Sequence, residues 1–281
     1  MAFVNYAKVL EEGKDRRITI GAFNTFNMES VQAVVMAADQ LGAPLIVMAY
    51  YADLQYTGVD YLSAMCFVAA KNAGVDIALG LDHGKKIEQV YQCIENRFTG
   101  VMIDLSSETY ETNVELTRQV ISVARPRGIS VEAEIGDIVD GDQSLEAIAK
   151  GFTDPEIARR FVRDTGVDCL AVSVGTAHGA YTNTPRINFA LLEELIQTVP
   201  CPIVVHGGSG TPDKDVLEMV KMGVAKLNIG TDLFNAYNDG VACALRSLGQ
   251  RARATEIARG GRNEIFQVAV QKLELLTKYK K

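Results

Sequence analysis

The sequence predicts an α/β fold, a (β/α)8 TIM barrel, as a single domain over residues 1–281 with a short N-terminal helix and a C-terminal helical tail. Three observations point there. Short apolar runs alternate with amphipathic helical stretches eight times without a break, the pattern of parallel strands joined by crossover helices. No linker-like segment divides the chain. The alternative, a doubly wound sheet, is disfavoured because no Gly-rich dinucleotide turn follows the first strand.

Taken in order, residues 3–13 form a leading helix and 18–24 the first strand. A helix over 28–42 follows, opened by Met28-Glu29-Ser30 and ended by Gly42. The second strand is 44–49 with a helix at 60–73, the third 75–82 with a helix at 85–97, and the fourth 100–104 with a helix at 110–126. The fifth, 129–134, leads into a polar loop of about fifteen residues holding Asp137, Asp140, Gly141 and Asp142, long enough to suggest a functional lid. Asp154-Pro155 opens the next helix with a cap and a proline at its first position. Strands at 168–174, 201–206 and 224–229 complete the set, with helices at 188–198, from Thr211-Pro212-Asp213 onward, and at 231–247; a helical tail spans 263–278.

Composition narrows the function. The chain is 48% hydrophobic and 22% charged, enough to bury a large core. A net charge of −7 with no basic tract argues against nucleic acid as a partner. The five cysteines are scattered, form no C-x-x-C pair, and fit a reducing, cytoplasmic location. The N-terminal stretch lacks a signal-peptide layout, and no apolar run is long enough to span a membrane.

The chemistry concentrates on three histidines, His83, His178 and His206, the full complement of the chain. Each ends a short apolar run and each precedes a glycine that lets a ligand approach the backbone. Neutral imidazole is the commonest metal ligand, and three histidines with one open position describe a catalytic zinc site. Asp82 places a carboxylate directly beside the first of them. In a barrel the carboxyl ends of the strands form the active face. Asn24, Asp82, Asp104, Glu134 and Asn228 recur there with the histidines. The turns Gly207-Gly208-Ser209-Gly210 and Asn228-Ile229-Gly230-Thr231-Asp232 follow strands seven and eight, the usual phosphate site of this fold, where free backbone N–H groups meet a helix N-terminus.

Six motifs, Leu81-Asp82-His83-Gly84, Val101-Met102-Ile103-Asp104, Val131-Glu132-Ala133-Glu134-Ile135-Gly136, Gly175-Thr176-Ala177-His178-Gly179, Val205-His206-Gly207-Gly208-Ser209-Gly210 and Lys226-Leu227-Asn228-Ile229-Gly230-Thr231-Asp232, resemble those of class II, zinc-dependent ketose-bisphosphate aldolases, the fructose- and tagatose-bisphosphate aldolase family. The resemblance runs from about Ile18 to about Asp232 in the family's order. It implies reversible cleavage of a ketose bisphosphate or ketose phosphate to dihydroxyacetone phosphate and an aldehyde, through a metal-stabilised enediolate. It implies Zn²⁺ on His83, His178 and His206, and Asp82 as acid/base on the C4 hydroxyl. Asp104 and Glu134 match positions that orient ligands or hold a second divalent or a monovalent cation. Gly179, Gly207, Ser209, Asn228, Thr231 and Asp232 match positions that hold the triose-phosphate half, and Asn24 joins them as a substrate contact. A homodimer or higher homo-oligomer is also implied.

The chain departs from the family pattern at Tyr50, Ser107, Arg125 and Thr182, and the long loop lacks the usual Gly-Gly-x-Glu-Asp. These departures surround the aldehyde half, so the expectation includes a tagatose-type or other ketose 1-phosphate aldolase with altered aldehyde specificity. Three rival readings stand beside it. Lys226 shares strand parity with Asn228 and would serve a Schiff-base aldolase. A phosphosugar-binding homologue without turnover would not need Asp82. A zinc hydrolase of this fold would carry an H-x-H pair, which is absent.

Overall fold

A computed structural model describes residues 3–138, 144–177, 179, 185–249 and 251–280. Eight parallel strands close on themselves in chain order: β1 Ile20–Asn24, β2 Leu45–Tyr50, β3 Ile77–Gly84, β4 Gly100–Ile103, β5 Ser130–Ile135, β6 Cys169–Val172, β7 Ile203–Val205 and β8 Lys226–Ile229. Residue β1 Ile20 pairs with Lys226, which seals the barrel. The expected (β/α)8 TIM barrel is therefore the architecture found.

Alternation along each strand sorts the side chains. Outward residues such as Val131, Ala133, Leu227 and Ile229 join the core against the surrounding helices. Inward residues Ile20, Ala22, Ile46, Met48, Ala78, Met102, Ala171 and Val204 pack the barrel interior. Above them on the inward face lie Asn24, Asp82, Asp104, Glu134, His206 and Asn228, all buried, at the carboxyl ends. The apolar layers thus form a floor under a polar one.

The leading helix α1, Tyr6–Arg16, lies three residues later than expected, because Asn5 caps it by accepting from Lys8 N–H. It closes the amino end of the barrel. Tyr6 is fully buried, with its hydroxyl donating to Met48 Sδ at 3.2 Å. Any Cβ on Gly80 or Gly100 would overlap its ring, so those two glycines make the room it fills.

Other boundaries shift for local reasons. The long loop after β5 contains a short helix, α7 Leu145–Lys150, capped by Ser144. The next helix, α8 Pro155–Thr165, starts as the Asp154 cap predicts. Pro212 is the N-cap of its helix α10, Asp213–Met222, instead of its first residue. The last long pair, α11 Thr231–Leu248 and α12 Ala254–Leu276, differs most: α12 begins nine residues before the expected tail. Gly260 and Gly261 lie inside it because α11 crosses there. A Cβ on Gly260 would strike the backbone of Gly240, and one on Gly261 the ring of Tyr237. The glycines permit close helix packing at a cost in helix propensity of about 1 kcal/mol each. No helix among the described residues is long and apolar enough to cross a membrane.

Gly100→Ala is expected to destabilise the fold by about 1–3 kcal/mol through overpacking against Tyr6. Urea unfolding checks this; an unchanged midpoint would show that Tyr6 can move aside.

Candidate active site

Strict alternation would face only one of Asp82 and His83 into the barrel. The structure brings both inside through a break in the β3–β4 register, with irregular pairing between Leu81 and Gly84. His83 adopts φ +53°, a left-handed conformation uncommon for a non-glycine residue. The extra residue re-aims the imidazole inward, as bulges do. Gly84 is required beside it, since a Cβ there would press on Met102 O at 2.6 Å.

The two described histidines meet directly. His83 Nε2 lies 2.9 Å from His206 Nδ1, with the rings near perpendicular. On the far side of each ring is a carboxylate: Asp104 Oδ2 at 2.6 Å from His83 Nδ1, and Glu132 Oε1 at 3.0 Å from His206 Nε2. Protonation follows from these partners. Burial alone would lower the His83 pKa, but Asp82, Asp104 and Glu134 outweigh it and raise it to about 9. Burial, helped by the His83 charge, keeps His206 below its ordinary value. A protonated His83 therefore donates from both nitrogens, to Asp104 and to the lone pair of His206 Nδ1, while His206 donates Nε2–H to Glu132. The proton between the rings sits where a metal would. Two nitrogens sharing a tetrahedral zinc lie about 3.3 Å apart. Replacing that proton by an ion needs only a few tenths of an ångström, so the donor set fits a metal.

Glu132 is itself held from below. Lys226, on β8, donates to both its oxygens, at 3.1 and 2.8 Å, and both side chains are completely buried. This ion pair occupies the lysine that a Schiff-base mechanism would need, and it keeps Glu132 ionised at about 2 although burial pushes the other way. Neither the Lys226–Glu132 pair nor the role of Glu132 was expected. The available signal was parity, because Glu132 shares the inward face with Glu134.

Asp82 lies beside the histidine pair, 3.9 Å from His83 Nε2. Asn24 donates to its Oδ2 at 2.7 Å and Asn228 to its Oδ1 at 2.9 Å. Burial raises its pKa, but His83, His206, Lys226 and Asn24 bring it below the ordinary carboxylate value. Asn24 and Asn228, expected at the substrate, thus also orient Asp82; their Oδ1 atoms have no partner among the described residues and remain as acceptors.

Asp104 accepts from His83, from Lys85 Nζ, and from Ser106 Oγ at 2.8 Å. His83 and Lys85 hold it well below the usual carboxylate range despite burial. Glu134 faces the same space, 3.8 Å from His206 Nδ1, and burial plus the Asp104 charge push it up to about 8. Its buried Oε2 accepts no hydrogen bond among the described residues. Ligand atoms of Asp82, His83 and His206 cluster closely enough to share an ion, and so do those of His83, Asp104 and Glu134.

The loops after β7 and β8 form the other wall. Gly207 has φ +72°, and a Cβ there would collide with Ala177. Ser209 Oγ accepts from Gly230 N–H and Asp232 N–H, each at 3.1 Å, and so fastens the start of α11. Thr231 and Gly179 line the cavity, but Asp232 turns to Lys272 on α12 at 2.8 Å. The cavity these residues enclose measures about 510 Å³. His178, Asp140, Gly141, Asp142 and Thr182 lie outside the described residues.

The chain matches the family model described as fructose-bisphosphate aldolase class-II over residues 4–281. Among solved structures, it is similar to the YdjI aldolase from Escherichia coli K12, with 29% identity, TM-score 0.85 and 97% of each chain covered. It also shares its fold with a fructose-bisphosphate aldolase from Campylobacter jejuni, at 23% identity and TM-score 0.83, covering 97% of this chain and 95% of that one.

The interior proton has a measurable consequence. The His83 pKa of about 9 exceeds that of an unfolded imidazole, roughly 6.5. Its contribution stabilises the metal-free fold below pH ~6.5 and is lost as pH rises through about 9. A metal ion taken up between the rings would have to displace that proton, so the affinity for added zinc is expected to climb across this window, with about one proton released per ion near pH 7.5. Calorimetry in buffers of different ionisation enthalpy checks this. Binding without proton release would contradict the assignment.

Proposed function

Since the chain belongs to the class-II fructose-bisphosphate aldolase family and is thereby a carbon–carbon lyase, we propose that it is a zinc-dependent aldolase that cleaves a ketose 1-phosphate or 1,6-bisphosphate to dihydroxyacetone phosphate and an aldehyde. The observation that carries this reading is the convergence of His83 Nε2 and His206 Nδ1 at 2.9 Å, beside an ionised, doubly anchored Asp82. A purely binding protein has no need of a carboxylate held in that state and place.

His83 and His206, with His178 as the third ligand, would hold Zn²⁺, which supplies Lewis-acid polarisation of the ketose carbonyl. Asp82 accepts the proton of the C4 hydroxyl as the C3–C4 bond breaks and returns it in synthesis. Asn24 and Asn228 keep its two oxygens in register. At the start of α11, Gly230 N–H and Asp232 N–H are held by Ser209 Oγ, and Thr231 N–H, beside Gly207, is the donor offered to the phosphate of the triose half. Asp104 fixes His83 through Nδ1, and Glu132 fixes His206 through Nε2. Glu134 supplies the further carboxylate where a second cation would sit. All five cysteines are free, which supports a reducing, cytoplasmic setting, and the family supports a homo-oligomer.

Asp82→Asn should retain zinc and dihydroxyacetone phosphate, because this reading gives Asp82 the acid/base role beside the metal and leaves the ligand role to the histidines. Cleavage should fall by about 10² or more, the usual contribution of general acid–base catalysis. Metal analysis alongside kcat distinguishes the roles: zinc content dropping in step with activity would make Asp82 a ligand. Purified zinc-loaded protein with no aldol cleavage of any ketose phosphate would leave phosphosugar binding as the function.

A further inference from the structure

We propose that the ammonium group of Lys85 takes the place of a second cation in this site, so that the protein holds a single metal ion and Lys85 is a positioning residue for the ligand His83. This rests on the aldolase reading above and specifies its metal content.

Two overlapping groups among the described residues bring their ligand atoms close enough to share an ion. The first, Asp82, His83 and His206, contains the zinc ligands of that reading. The second is His83, Asp104 and Glu134, all buried. Apart from His83, its donors are carboxylate oxygens, a set suited to a hard cation such as Mg²⁺ or Mn²⁺.

The hydrogen bonds of Asp104 decide against an ion in that second group. An ionised carboxylate offers about four lone-pair sites. His83 Nδ1 and Lys85 Nζ take those of Oδ2. The backbone N–H and the hydroxyl of Ser106 take those of Oδ1, at 3.2 and 2.8 Å. His83 is equally engaged, with Nδ1 on Asp104 and Nε2 facing His206. Of the three groups, Glu134 alone keeps an acceptor without a partner among the described residues, its Oε2. An entering cation would have to displace the ammonium, because a single oxygen does not make a divalent site.

The ammonium does what such an ion would do. Asp104 is almost wholly buried, and a buried carboxylate needs a compensating charge. Lys85 supplies it from the rim, where its own side chain is about half exposed. The Nδ1–H of His83 then keeps an ionised acceptor, which fixes the ring with Nε2 turned to the metal. The Lys85 charge reaches Glu134 as well, opposing the burial and the Asp104 charge that raise that group. Only Gly84 separates Lys85 from His83, so one short stretch carries both the ligand and the charge that holds the ligand's partner.

The test titrates zinc-loaded protein with Mn²⁺ and follows free Mn²⁺ by electron paramagnetic resonance. Resident zinc keeps the histidine site, since nitrogen donors prefer Zn²⁺ to Mn²⁺. Wild type is expected to take up no Mn²⁺ with a Kd at or below about 1 mM, the weak end for oxygen-ligand sites. Lys85→Met keeps the stem, removes the charge, and is expected to bind one Mn²⁺ per chain; Lys85→Gln serves if that variant does not fold. Lys85→Arg should again bind none. Adding Glu134→Gln to Lys85→Met should abolish the binding, which locates the ion. One Mn²⁺ per wild-type chain overturns the inference, and so does a folded, zinc-loaded Lys85→Met or Lys85→Gln protein that binds none. Mn²⁺ bound equally by Lys85→Arg overturns it by making space the cause instead of charge, and Mn²⁺ retained with Glu134→Gln by placing the ion elsewhere. Failure of the wild type to take up zinc overturns the aldolase reading itself, and is seen before any Mn²⁺ is added.

Discussion

The arrangement depends on one buried ion pair, Lys226 with Glu132, at the centre of the barrel. Two opposite charges taken wholly out of water are tolerable only when each is fully engaged, and removing one partner of such a pair costs about 3–5 kcal/mol. Here the surplus capacity of Glu132 is used by His206, which is thereby fixed in one tautomer with Nδ1 turned upward. From His206 the chain of contacts passes to His83, from His83 to Asp104, and from Asp104 to Lys85 at the rim. A line of alternating donors and acceptors thus runs from the barrel floor to the cavity mouth. The imidazole pair is its midpoint and the place where a cation, whether proton or metal, is required.

The geometry of that midpoint needs a local violation of strand regularity. A regular β3 would bury either Asp82 or His83, giving an acid/base without a ligand or a ligand without an acid/base. The bulge at His83 resolves this by storing backbone strain where the surrounding barrel can enforce it. Beneath the site packs the apolar layer of Ile46, Met48, Ala78 and Met102. Burial with opposite charges close by then separates neighbouring groups of one kind, raising His83 and lowering His206.

Much of this was legible in the sequence. Eight apolar runs gave the barrel, and the polar residues closing six of them, Asn24, Asp82, Asp104, Glu134, His206 and Asn228, form one layer, because period-two alternation fixes which residues share a face. What was not legible depends on contacts between distant segments. The bulge at His83 has no signal in period or propensity. Lys226 read as a candidate nucleophile until its partner across the barrel was visible. The tail helix read as starting at 263, whereas it runs from Ala254 and takes in Gly260 and Gly261, where Gly240 of α11 packs close against it. Ser209 read as a phosphate ligand, and it also caps α11 by accepting two backbone N–H groups.

On the aldolase reading, His83 and His206 turn their facing nitrogens to one metal. The most direct test is a crystal structure of the zinc-soaked protein with anomalous data at the zinc edge. A peak is expected between the two rings, bonded to His83 Nε2 and His206 Nδ1 at about 2.0–2.1 Å, with His178 completing the histidine set. A zinc ion bound elsewhere, with His83 and His206 still hydrogen-bonded to each other, would contradict it.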